Sequence, residues 1–129
     1  MTILKKDPRD LAKATGSGSA VIHFKEIRGE VDQRAAYLYF LPKLSSYDSY
    51  VQITILREEF NQGAIPLPSD NVQTYIKLGT SAWSANAGNA KCDWDENSGR
   101  ATGTFELINS QTEEKISSGN FDVTFPVKK

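Results

Sequence analysis

Asp93, Asp95 and Asn97 place oxygen-bearing side chains at the first, third and fifth positions of a run that continues through Ser98 and Gly99. That spacing is how a calcium-binding EF-hand loop begins, but the loop also needs glycine at its sixth position and a bidentate glutamate at its twelfth. Ser98 and Thr104 occupy those positions here, so the ligand set is incomplete. Asn-Ser-Gly is equally a turn sequence, because Asn and Gly tolerate positive φ. The segment Asp93 to Gly99 therefore reads as a hairpin connection, and no metal ligand is assigned.

The remaining reactive groups are sparse. His23 is the single histidine, and no serine or cysteine sits in a recognisable nucleophile elbow that it could serve as a base. Cys92 is a lone thiol between Lys91 and Asp93, with nothing to depress its pKa, and it reads as a packing residue. Glu58-Glu59, Asp95-Glu96 and Glu113-Glu114 are adjacent carboxylates, which on a strand point to opposite faces and read as solvated charge. No catalytic residue and no cofactor is assigned, and an enzyme ranks third among the functional readings.

The aromatic residues carry the functional lead. Tyr37 and Tyr39 share one face of a strand whose other face, Leu38 and Phe40, is apolar. Tyr47 and Tyr50 flank the next strand, and Trp83 lies among Ser81, Ala82, Ser84, Ala85 and Asn86. Tyrosine and tryptophan join apolar area to a polar tip, which suits carbohydrate, flat-ligand or protein contacts. Small neighbours would leave the Trp83 indole half-uncovered, so Trp83 is the first candidate for ligand binding, with Tyr37 and Tyr39 next. Trp94, between two aspartates in a strand, is expected to pack under the sheet edge.

These residues are positioned by strands. Ala20 to Ile27 puts Ile22 and Phe24 inward, Ala35 to Leu41 is apolar on both faces and stopped by Pro42, and Val51, Ile53 and Ile55 alternate with polar residues. Val72 to Leu78 and Ala90 to Asp95 follow. Two further strands then carry Phe105 and Leu107, and Phe121, Val123 and Phe125. Turn clusters at 32–34, 45–49, 66–71, 87–89 and 97–99 separate them. Before all of these, Asp7 can cap a helix that starts at Pro8 and runs to Ala14, followed by a Gly16-Ser17-Gly18-Ser19 hinge.

Composition narrows the partners. The chain has 129 residues, enough for one self-sufficient core, and its 15 basic and 16 acidic residues leave a net charge of −1. There is no basic surplus for nucleic acid and no polybasic run to hold an anionic membrane. No leader-like apolar stretch follows Met1, so the chain as written reads as cytoplasmic, or as envelope-bound or secreted if a leader was trimmed.

Asp95 to Asp122, with Gly103-Thr104-Phe105 and Gly119-Asn120-Phe121 at its heart, resembles the C-terminal strands of an uncharacterised group of small β-rich bacterial envelope and lipoprotein-type domains. In that group a turn leads into a G-T-F strand and then a G-x-F-x-V strand. Residues 58–92 follow the group's order more loosely, and the group's lipoprotein-type leader is missing. The resemblance implies a β fold and an envelope origin, and it brings no activity.

The expectation is an all-β, single-domain antiparallel β-sandwich, or a small closed barrel, of seven to eight strands. Residues 1–19 form a short helical arm and residues 20–129 the domain. It would act as a non-catalytic binding module for a small ligand, a carbohydrate or a protein. The rival is a membrane-acting β-sandwich of the cytolysin type, with aromatic residues as interfacial anchors.

Overall fold

The structure, a computed structural model, describes residues 11–16, 21–43 and 46–125. Along the chain the strands are β1 (Leu11–Thr15), β2 (Val21–His23), β3 (Glu26–Val31), β4 (Ala35–Leu41), β5 (Tyr50–Leu56) and β6 (Ile65–Pro66). They continue as β7 (Val72–Leu78), β8 (Ser81–Trp83), β9 (Ala87–Asp95), β10 (Arg100–Asn109) and β11 (Glu114–Thr124). One sheet has the order β2-β1-β11-β10-β9-β6 and the other β3-β4-β5-β7-β8, with every pairing antiparallel. The sheets do not close into a barrel; they face each other as a sandwich.

The alternation that marks the strands also builds the core. Leu38 and Phe40 on β4, Val51, Ile53 and Ile55 on β5, and Phe105, Leu107, Phe121 and Val123 on β10 and β11 are all buried, as are Phe24 and Phe125. Phe40 is the hub between the sheets. Its ring lies 5.3 Å from that of Phe105, 5.4 Å from Phe121 and 5.6 Å from Phe24, centroid to centroid.

The expected strand count is corrected from seven or eight to eleven among the described residues. The Ala20–Ile27 run divides at Phe24 and Lys25. The Phe24 amide donates to Ala12 O in the six-stranded sheet, and the Lys25 amide donates to Leu41 O in the other. The chain thus changes sheets there, a step that no glycine or proline announces. β6 and β8 are short additions that the alternation is too brief to reveal.

The helical arm is also corrected. Leu11–Thr15 is a strand held between β11 and β2, with Lys13 opposite Asn120 on one side and His23 on the other. Ala12 and Ala14 are buried and Lys13 is exposed, a period of two. An isolated two-turn helix is marginal, whereas pairing on both sides satisfies the same backbone groups and buries both alanines. Pro8 to Asp10 of the expected helix, and Ser17 to Ala20 with most of the expected hinge, lie outside the described residues.

The two G-x-F motifs meet face to face. Gly103 stands opposite Phe121 and Phe105 opposite Gly119 on β10 and β11. A methyl group on Gly119 would fall 2.4 Å from the Phe105 ring, and one on Gly103 would fall 2.6 Å from the Phe121 ring. Each ring therefore occupies the space that the opposing glycine leaves empty, an arrangement seen where aromatics cover cross-strand glycines.

Candidate binding face

The outward side of the five-stranded sheet gathers tyrosines. Register places Arg28, Tyr39, Gln52 and Tyr75 in one row across β3, β4, β5 and β7. Tyr50 stands opposite Lys77 in the adjoining same-face row. Directly opposed side chains share a face and diagonal neighbours are within reach of aromatic rings. Tyr39 and Tyr50 accordingly approach to 5.8 Å between centroids, and Tyr50 and Tyr75 to 5.9 Å. The connection between β4 and β5 folds back so that Tyr47 joins them, 6.0 Å from Tyr39 and 6.2 Å from Tyr50.

Two of these rings are strongly open to solvent, Tyr47 at 45% and Tyr75 at 38% exposure. The Arg28 guanidinium lies 5.7 Å from the Tyr47 ring centroid and donates to its hydroxyl at 3.5 Å, while pairing with the Glu26 carboxylate. Partial burial, followed by the nearby Tyr75 and Tyr39 hydroxyls, raises the Tyr50 pKa above the usual phenol value. Gln52, between Tyr39 and Tyr75, directs its amide to the Thr54 hydroxyl. The face therefore offers ring surfaces among hydrogen-bonding and charged groups, Arg28, Glu26 and Lys77 included.

Of the residues expected to bind, Tyr39 belongs to this cluster. Tyr37 occupies the same face at the next row, opposite Thr54. Trp83 does not lie there. It sits on β8 opposite Ile76, 6% exposed, with its side chain in the core, so the half-uncovered indole expected from its small neighbours is corrected. Its inward direction is set by pairing with β7, where the Thr74 hydroxyl accepts the Ala85 amide at 2.9 Å and anchors the chain beyond the hairpin. Trp94 is half-buried against Phe60, 6.4 Å between centroids, with its indole N–H donating to Glu96 at 2.5 Å. Sequence reasoning left out Tyr47, Tyr50 and Tyr75 as site residues. The available signal was the occurrence of tyrosine at outward positions of alternating strands.

The reactive groups are dispersed. Cys92 is buried, and loss of hydration, with Asp93 adding repulsion, pushes its thiol up to about 12, which leaves almost no thiolate at neutral pH. His23 is exposed on β2 opposite Lys13. No group of three or more His, Cys, Asp or Glu suited to a metal occurs among the described residues.

Asp93 to Gly99 forms the end of β9 and the hairpin turn into β10. Asp95 accepts the backbone amides of Asn97 at 2.9 Å and Ser98 at 3.4 Å, and Gly99, at φ +72°, closes the turn by donating to Asp95 O at 2.8 Å. The carboxylate that an EF-hand would aim at a cation is aimed here at the backbone. Millimolar calcium is expected to leave Tm within about one degree, because a ligand at 100 times its Kd contributes about 2.7 kcal/mol. A rise of several degrees that EDTA reverses would overturn that assignment.

The same hydrogen bonds set an acid limit on stability. Backbone N–H donors from Asn97 and Ser98 hold Asp95 below its ordinary value of 3.8, and those from Arg34 and Ala35 do the same for Asp32. The Trp94 indole and then Arg57 lower Glu96 from 4.5. A carboxylate with a depressed folded-state pKa contributes stability above its ordinary value and loses it as pH falls through the depressed one. Tm should therefore be flat down to about pH 5 and fall below about pH 4. The acid limb should be shallower in the Asp32→Asn/Asp95→Asn double variant, whose amides still accept a hydrogen bond but do not titrate. An unchanged limb would show that these two turns do not carry the effect.

Compared with protein-family models, curated proteins and solved structures, the chain matches none of them.

Proposed function

We propose that the protein is a non-catalytic binding module whose contact surface is the tyrosine face of the five-stranded sheet. The observation that carries this reading is the contiguous set of Tyr39, Tyr50 and Tyr75 on the outward side of the sheet and Tyr47 from the β4–β5 connection, neighbouring rings 5.8–6.2 Å apart. Tyrosine has only two side-chain torsions to order on binding, and it supplies apolar area together with a hydroxyl. Strand pairing positions Tyr39, Tyr50 and Tyr75 before a ligand arrives, which lowers the ordering cost of association.

The reactive groups support a binding role, since the thiol is buried, the histidine is remote from it and the turn carboxylates are occupied. The membrane-acting alternative shares the exposed tyrosines Tyr47 and Tyr75 with this reading but loses its tryptophan anchors. Trp83 lies in the core, and the Trp94 N–H is committed to Glu96, so neither indole is placed as an interfacial anchor. The resemblance of the C-terminal strands to envelope domains is compatible with a surface-binding task.

The test is the Tyr47→Ala/Tyr75→Ala double variant, which removes the two most exposed rings. It is expected to keep the wild-type circular dichroism spectrum and to melt within about three degrees of wild type, since exposed substitutions cost little. Against a panel of oligosaccharides, peptides and phospholipid vesicles, whatever the wild type binds should bind the variant at least about tenfold more weakly. A partner held equally well by both proteins would place the site elsewhere.

A further inference from the structure

We propose that β3 pairs edge to edge with the β3 of a second copy of this chain, in one defined register. Among the described residues the two sheets end in β2, β6, β8 and β3. The first three have three, two and three residues, short edges that resist pairing, whereas β3 has six. Its backbone direction follows from the hairpin with β4. The Asp32 amide donates to Ala35 O, and bonded and non-bonded pairs alternate along an antiparallel ladder. Glu30–Tyr37 and Arg28–Tyr39 are therefore bonded pairs, and Ile27, Gly29 and Val31 direct their amides and carbonyls away from β4. Gly29 agrees with this, since a methyl group there would fall 1.8 Å from Tyr37 O. Its Cα leans on β4, and the middle of the edge carries no side chain. A glycine inside a strand often marks the close approach of another backbone.

Charged residues on an edge ordinarily keep other strands away. Here their order favours one register and penalises its neighbours. With Gly29 opposite Gly29 of the second copy, Arg28 faces Glu30 of that copy at two symmetric crossings. All three outward residues are then bonded, Ile27 to Val31, Gly29 to Gly29 and Val31 to Ile27. Ile27 and Val31 are half-buried against the core, so the same pairing adds apolar contact on the inward face. A slip of one residue sets outward-bonding groups against inward-bonding ones. A slip of two sets Arg28 against Arg28 or Glu30 against Glu30, and like charges directly opposite each other destabilise. Glu26 would stand opposite Asp32 of the second copy, but Glu26 is paired with Arg28 and Asp32 accepts the Arg34 and Ala35 amides. The Arg28 guanidinium has five N–H donors, enough for Glu26, the Tyr47 hydroxyl and a further carboxylate.

The experiment follows the full chain by sedimentation equilibrium up to about 1 mM, with amide hydrogen exchange at both ends of the range. A monomer–dimer equilibrium with a Kd of about 1 mM or tighter is expected, and the Ile27, Gly29 and Val31 amides should gain protection as the dimer forms. Glu30→Arg and Arg28→Glu each place like charges at both crossings and should weaken the dimer at least about tenfold, with the circular dichroism spectrum unchanged. Mixing the two variants puts opposite charges back at both crossings and should restore a mixed dimer. Val31→Pro removes an outward amide and should also weaken the dimer, since an edge strand tolerates proline where its N–H faces away from the sheet. The charge variants, on exposed residues, decide the matter if Val31→Pro does not fold. Tyr75→Ala, on β7, should dimerise as wild type does, so this pairing and the tyrosine face stand or fall separately. A chain that stays monomeric at about 1 mM overturns the proposal. A dimer indifferent to Glu30→Arg and Arg28→Glu overturns it by placing the interface elsewhere, and single-variant losses that mixing does not restore overturn the register.

Discussion

Trp83→Ala is expected to destabilise the protein by about 3–5 kcal/mol, the cost of emptying a buried aromatic site that its neighbours cannot refill. The indole is 6% exposed and stands opposite Ile76, itself fully buried, on the short β8 hairpin strand at the edge of its sheet. An edge strand of three residues has few backbone bonds of its own, so its attachment depends on that side chain. The variant should melt well below wild type in urea, with an unchanged m-value if β8 remains docked and a lower one if β8 frays before the rest. Trp94→Ala is the comparison. Trp94 is half-buried and packed mainly on Phe60, so the loss should be roughly half as large or less. A Trp83→Ala protein within 1 kcal/mol of wild type would show that the indole is not a core element.

The second large effect concerns the reciprocal glycine–phenylalanine pairs. Gly119→Ala places a methyl carbon 2.4 Å from the Phe105 ring, well inside contact distance, and that ring is itself fixed against Phe40. Overpacking of this kind costs about 1–3 kcal/mol and occasionally more, because the ring must leave its rotamer or the strands must separate. The sign of the explanation can be checked with a cycle. Phe105→Leu removes the clash, so Gly119→Ala should cost markedly less in that background, a coupling of about 0.5–3 kcal/mol. Equal costs in both backgrounds would mean that backbone preference, not the ring, makes glycine necessary at 119.

The strands β4 and β7 were legible to the residue. Ala35–Leu41 is apolar on both faces and stopped by a proline, and Val72–Leu78 follows a turn cluster. The inward choices at Phe121, Val123 and Phe125 also hold, because alternation with Asn120, Asp122 and Thr124 leaves a single register that buries them. The N-terminal strand was not legible, since Asp7, Pro8 and Gly16 are all local helix punctuation. The forces that make it a strand come from β11, at the far end of the chain. Trp83 shows the same limit at the site. Its small polar neighbours suggest exposure, yet pairing with β7 determines which way the indole points. The tyrosine face was half legible, since Tyr37 and Tyr39 share a strand face by period alone. That Tyr50 and Tyr75 stand beside Tyr39 depends on the pairing of three strands, and no single segment contains that information.

The position of β1 between β2 and β11 carries a consequence for how the chain is made. Its partners Asp122, Phe121 and Asn120 are among the last described residues to be synthesised, so Leu11, Ala12 and Lys13 leave the ribosome long before their ladder exists. The hairpins β3–β4 and β9–β10 can close as they emerge, being local. The six-stranded sheet can be completed only once β11 is available, a late step that must bring together segments separated by most of the chain. Until then β11's neighbour-to-be is a short segment carrying Lys13, whose charge discourages pairing with the wrong edge. The nascent chain thus keeps one slot open between β1 and β10, and the segment that fills it, β11, is the last of the described strands to be made.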